Sequence, residues 1–128
     1  MFCSHCGKCC EETEMLLSEV DIELLEKAGH SRKGFVRFDG LGFAQLQNCN
    51  GYCVFYVREK RRCKVYELRP LGCRIYPVIY SEEEGVVVDD LCPMNKTVSE
   101  AEIRRKGKKL GRLLKTIDAE AEKRRPHT

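Results

Sequence analysis

Apolar positions along the chain change their period several times, and each change marks an element. Between Ser18 and Gly29, Val20, Ile22, Leu24, Leu25 and Ala28 form a broad apolar stripe, with acidic residues placed early, where a helix dipole favours them. Ser18 with Asp21 has the form of a capping box and Gly29 stands where a helix stops, so the pattern predicts a short helix over Glu19 to Ala28. From Ser31 to Gln47 the chain alternates rather than spirals. Phe35 and Phe38 flank Arg37, and Gly40 and Gly42 precede Phe43, Ala44 and Leu46, which predicts two short strands about a glycine-rich turn, the phenylalanines filling the core. Cys53 to Val57 and Cys63 to Tyr66 bracket the charged run Arg58 to Arg62, the form of a hairpin with a solvated tip. Pro70 suits the first position of a helical turn that carries Cys73, and Pro77 ends it. Val78 to Tyr80 and Val86 to Asp89 predict a further hairpin around Ser81 to Gly85.

The last third is helical. Thr97 with Glu100, or Ser99 with Glu102, offers a cap for a helix reaching about Lys123. Ile103, Gly107, Leu110, Leu113, Leu114, Ile117 and Ala121 recur at steps of three and four, a seam for packing on the rest of the chain or on a partner. The opposite face carries Arg104, Arg105, Lys106, Lys108, Lys109, Arg112 and Lys115.

Composition changes this picture in one respect, the cysteines. A chain of 128 residues with 34% charged and 8% aromatic residues supports one thin apolar core, which a cross-link would help. No apolar run approaches the length of a membrane span and Cys3 falls too early for a signal peptide, so a cytoplasmic protein without a membrane partner is expected. In a reducing compartment nine cysteines, an odd number, read as metal ligands rather than disulfides.

Cys3, Cys6, Cys9 and Cys10 spell C-x2-C-x2-C-C. Two thiolates separated by two residues share a tight turn with both sulfurs facing one point, the reason this spacing recurs at zinc and iron–sulfur centres. Gly7 gives the turn its freedom, and Lys8 sets a positive charge beside the sulfurs. Neighbouring side chains point apart, so Cys9 and Cys10 are expected to serve two metals, or two irons of one cluster. The remaining candidates are Cys53, Cys63, Cys73 and Cys92, with Cys49 as a ninth. Eight thiolates would fill two tetrahedral sites or one polynuclear cluster. The cofactor is therefore zinc or an iron–sulfur cluster, and the spacing leaves the two open.

C-x2-C-x2-C-C, then Cys53-Val-Phe-Tyr, then Cys63-x2-Tyr66-x2-Arg69-Pro70-x2-Cys73-Arg74-x2-Pro77 and Cys92-Pro93, resembles the YkgJ-type cysteine-cluster family, small proteins described as zinc- or iron-chelating domains. The likeness runs from Cys3 through Cys92. It implies eight ligands, Cys3, Cys6, Cys9, Cys10, Cys53, Cys63, Cys73 and Cys92, and leaves Cys49 outside the pattern. It implies no agreed reaction, although relatives of the cluster occur in flagellin lysine methylation, so catalysis stays open. The fold expected is α+β: a small metal-stapled domain of short hairpins and helices over residues 1–93, with a long basic amphipathic helix, 94–125, packed on it as part of a single domain.

Metal bound by four thiolates carries net negative charge, so cations should lie beside it. Arg69 and Arg74, fixed near Cys73 by the motif, are the expected donors to sulfur. His5 reads as a solvent-facing loop residue, and Tyr66 and Tyr76 as rings packed on the cluster. Three functions compete. A metal-binding module whose cluster organises the fold and serves a protein partner or metal handling leads. An iron–sulfur enzyme or electron-transfer protein is the second, and a nucleic-acid-binding module using the basic helix is the third.

Overall fold

The computed structural model of the chain describes residues 10–89, 92 and 94–125. Ser18 and Asp21 close both halves of the expected capping box: the Asp21 N–H donates to Ser18 Oγ and the Ser18 N–H to Asp21 Oδ2, each at 3.2 Å. They start helix α1, Glu19–Lys27, which Ala28 caps before Gly29 turns at φ +101°. The buried stripe is narrower than the sequence pattern suggests. Ile22 and Leu25 are fully covered, whereas Val20 is 62% and Leu24 45% exposed. At about 100° per residue those two project to the side opposite Ile22 and Leu25, and only one side of α1 meets the core.

The next segment opens with a single helical turn, α2 (Arg32–Phe35), in place of the first half of the expected strand. Strand β1 (Val36–Phe38) then pairs antiparallel with β2 (Ala44–Leu46) in the register Val36↔Leu46. Phe35 is buried, but Phe38 is 52% exposed and lies beneath the Arg124 guanidinium, 5.1 Å from its ring centroid. Phe38 shares a face with Val36 yet falls beyond the end of the core, so it is not the filler it was expected to be.

Three more two-stranded hairpins follow. Strands β3 (Asn48–Cys49) and β4 (Tyr52–Cys53) join through Asn50 and Gly51, both at positive φ as a type I′ turn requires. Cys53 therefore belongs to this hairpin, not to the charged one. The charged hairpin pairs β5 (Tyr56–Val57) with β6 (Arg62–Cys63). A 3-10 turn, Tyr66–Leu68, leads to helix α3, Leu71–Ile75, with Pro70 just before it and Pro77 just after. Strands β7 (Val78–Ser81) and β8 (Gly85–Val88) make the last hairpin. Helix α4, Glu100–Arg124, starts at Ser99, whose Oγ accepts the Glu102 N–H at 3.1 Å. The architecture is α+β, with short antiparallel hairpins, short helices and one long C-terminal helix, as expected.

The buried residues form two clusters. The first gathers Leu17, Ile22, Leu25, Phe35, Val36, Ala44, Leu46, Phe55 and Val65, with Cys53 inside it and Cys10, Cys63 and Cys73 packed against it. The second joins Ile75 and Val78 to Leu110, Leu113 and Ile117 of α4. The seam of α4 thus lies on α3, β7 and β8. Gly107 lets β8 approach, since a Cβ there would sit 3.2 Å from Val86 Cγ1. No helix of the described residues is long and apolar enough to cross a membrane.

Candidate metal centre

Four of the predicted ligands arrive at one place by four different routes. Cys10 is carried by the segment that runs beside β2: the Leu17 N–H donates to Ala44 O at 2.8 Å and the Leu46 N–H to Met15 O at 3.0 Å. Asn48 clamps that segment at Thr13, its Oδ1 accepting the Thr13 N–H at 2.9 Å and its Nδ2 donating to Thr13 O at 2.8 Å. The Glu12 N–H reaches Gly51 O at 2.7 Å, so the segment is stitched to the same small hairpin that carries Cys53. Cys53 is buried, 4% exposed. Cys63 stands on β6 opposite Tyr56, with the Lys64 N–H donating to Phe55 O at 2.6 Å. Cys73 sits in α3, whose first N–H, that of Leu71, donates to Asp21 Oδ1 at 3.0 Å. Asp21 therefore caps α1 with one oxygen and anchors α3 with the other. Gly72 lies against the Met15 sulfur, which a side chain at this position would have to push aside.

Cys10, Cys53, Cys63 and Cys73 line a single cavity of about 50 Å³ with an apolar wall that includes Leu46, Phe55 and Val65. Arg61, Arg62 and Arg69 border it. Arg69 donates through Nε to Tyr66 O at 2.9 Å and stacks over the Tyr66 ring, 3.9 Å from its centroid, so both are held at the cavity. Arg74, paired with Arg69 in the sequence motif, is exposed and does not line it. Arg61 and Arg62 do, although the charged run reads in sequence as a solvated tip. Arg61 turns at φ +50°, and the two-residue pairing of β5 with β6 brings the tip back over the cavity. Arg58 points elsewhere, its guanidinium 5.1 Å from the Tyr52 ring centroid. Tyr76 also lies away from the cavity and donates its hydroxyl to Asp89 Oδ2 at 2.6 Å.

Cys49 is exposed on β3 and is not part of the lining. Cys92 is buried, 6% exposed, and also falls outside it. Cys3, Cys6 and Cys9, with His5 and Lys8, lie outside the described residues, as does the expected division of Cys9 from Cys10 between metals. Among the described residues no group of three or more His, Cys, Asp or Glu side chains is placed to hold one ion. The chemistry of the donor set nevertheless fits a thiophilic metal. Four thiols converge on an apolar cavity with three guanidinium groups at its edge, and such cations offset the charge that metal-bound thiolates accumulate.

Sequence reasoning did not find Thr13, Asn48 and Asp21 as parts of the site's framework. A signal for the first pair was present, because Asn50-Gly51 is the strongest short hairpin signal and would have set Asn48 opposite Cys53. Nothing local connects Asp21 with Leu71, fifty residues away.

Comparison with known proteins agrees with the cysteine pattern. The CxxCxxCC family, described as "Putative zinc- or iron-chelating domain", matches residues 2–93. The uncharacterized protein MJ0661 of Methanocaldococcus jannaschii is 32% identical over 86 residues, 65% of this chain and 47% of that protein. The chain thus spans about half the length of that relative. No solved structure matches. With the match extending from the first cysteines through Cys92 and beyond the four that line the cavity, the chain belongs to the CxxCxxCC family of zinc- or iron-chelating domains.

Proposed function

We propose that Cys3, Cys6, Cys9, Cys10, Cys53, Cys63, Cys73 and Cys92 hold a zinc or iron–sulfur centre that organises residues 1–93 and serves a protein partner or metal handling. The observation that carries this reading is the convergence of Cys10, Cys53, Cys63 and Cys73, from four separate segments, on one small apolar cavity. Arg61, Arg62 and Arg69 are the cations that would balance the thiolates there. Bound zinc would supply a permanent cross-link, and a bound iron–sulfur cluster would supply one as well as a site for one electron.

Metal analysis with an absorption spectrum, on protein purified without oxygen, tests the proposal. A colourless zinc protein or a brown iron–sulfur protein is the expected result, and protein with neither metal overturns it. Cys53→Ser should lose metal while Cys49→Ser keeps the full stoichiometry. Equal loss in both variants would bring Cys49 into the ligand set.

A further inference from the structure

On the other side of Thr13 from the cysteine-lined cavity lies an open groove between the 11–16 segment, β7 and α4. Among the described residues the two share only Thr13. The groove encloses about 840 Å³, against about 50 Å³ for the cavity, so it has room for several side chains rather than for an ion. Its floor is the outer surface of the second core, including Leu16, Phe43, Val78, Leu110 and Leu114. Its edge is acidic. Among the described residues that line it, nineteen in all, Glu11, Glu12, Glu14, Glu82, Asp89 and Asp118 are acidic and none is Lys, Arg or His. Composition does not explain this, because the chain has 23 Lys and Arg against 20 Asp and Glu.

We propose that this groove docks a cationic amphipathic helix of a partner protein. An apolar floor selects a ligand with an apolar stripe, and an edge of one sign selects the opposite charge beside that stripe. The acidic edge repels nucleic acid and anionic lipid. A second copy of this chain fits poorly: the exposed positions of α4 between Ile103 and Ile117 are only Arg, Lys, Gly and Thr, which would meet the edge and leave the floor uncovered. The proposal goes beyond the metal centre and does not depend on which metal is bound.

Fluorescence anisotropy on the metal-loaded full chain tests it, with a labelled 18-residue peptide bearing leucines on one helical face and lysines on the other. This peptide should bind, and one with Glu for Lys, or with Ser for Leu, should bind at least about tenfold more weakly. Glu82→Lys combined with Asp118→Lys changes two exposed residues and should raise the Kd about tenfold, an effect that shrinks with added salt. Tyr80→Ser, at an edge position 56% exposed, should also weaken binding, and Glu23→Lys on α1 should change nothing. Failure of the Leu/Lys peptide to bind overturns the proposal, as does equal binding to the double variant or by the Ser/Lys peptide. A wild-type dimer in sedimentation that Glu82→Lys with Asp118→Lys dissociates would make a second copy the occupant and overturn it too.

Discussion

The two cores of this molecule are built from similar apolar residues but held by different means. Under α4, the side chains of Leu110, Leu113 and Ile117 come from one continuous helix and meet Ile75 and Val78, so a single periodic element fixes most of the packing. The core around Phe35 and Leu46 is assembled from short pieces. Its strands are two or three residues long, and α2 is a single turn. Such pieces are not stable on their own, since isolated hairpins and short helices are marginal in water. Among the described residues, four cysteines sit inside or against this fragmentary core, and none belongs to the core under α4. The difference teaches where the proposed metal centre would be of most use: it would join segments that secondary structure cannot hold together.

Removal of the metal should break the symmetry between the cores most strongly. Chelation of the wild-type protein is expected to unfold much of residues 1–93 around the cysteine-lined core, with amide exchange accelerating in β3 to β6, while α4 keeps part of its helicity. Unchanged circular dichroism and an unchanged melting temperature in the metal-free protein would show that the apolar contacts suffice and would sink the organising role of the cysteines.

A substitution in the other core sharpens the contrast. Ile117 is 1% exposed, and Ile117→Ala should lower unfolding stability by about 2–5 kcal/mol while leaving the metal content unchanged. Denaturant titration followed by metal analysis checks both halves. A variant that lost metal as readily as stability would mean that the cores are not separable.

Gly42 tests the join between them. It stands in the β1–β2 loop at φ +88°, where a Cβ would come 2.6 Å from the carbonyl oxygen of Ala121 on α4. Gly42→Ala should cost about 1–3 kcal/mol, from left-handed strain and a contact that only backbone movement relieves. A melting temperature within experimental error of the wild type would show that the loop and α4 separate freely.

The smallest effect belongs to the ion pairs at the same join. Burial acts to raise the Glu19 carboxyl pKa, but the Arg124 hydrogen bond and the charges of Arg32 and Arg124 together hold it below its ordinary value. The Arg124 Nη2 is 2.7 Å from Glu19 Oε1 and the Arg32 Nη2 is 3.0 Å from Glu19 Oε2. Because the folded pKa is lowered, this stabilisation is present above the unfolded value of about 4.5 and disappears as pH falls through the folded value. Glu19 is more than a third exposed, so Glu19→Gln should cost on the order of 1 kcal/mol or less at neutral pH and nothing once the wild-type carboxyl is protonated. Melting temperatures of both proteins at pH 7 and pH 3 provide the measurement, and a gap that widens toward acid would reverse the assignment.

Much of this was legible without coordinates. The capping box of α1, the seam and Ser99 start of α4, the presence of the β7–β8 hairpin and the proline brackets of α3 all follow from rules that operate within a few residues: a hydroxyl satisfying a backbone N–H, a side-chain period matching a helix or a strand, a ring fixing φ. The cysteine motif was legible for a similar reason, because thiolates two residues apart share a turn whatever surrounds it.

Tertiary structure decided what no local rule reaches. Whether Phe38 is buried depends on where the core ends, and whether Arg61 and Arg62 or Arg74 borders the cavity depends on which way a tip and a one-turn helix face. Asp21 meets the backbone of Leu71, Asn48 meets Thr13, and Glu120 accepts the Glu19 N–H at 3.0 Å, each across a separation in sequence that the chain's periodicity cannot encode. The residues themselves mark the candidate ligands by type and spacing, but only the closure of long loops brings four of these cysteines to one cavity and gathers six of the described carboxylates around an apolar groove. Those arrangements arise from the simultaneous packing of all the segments, because the entropy lost in closing each loop is recovered only once its distant contacts are made.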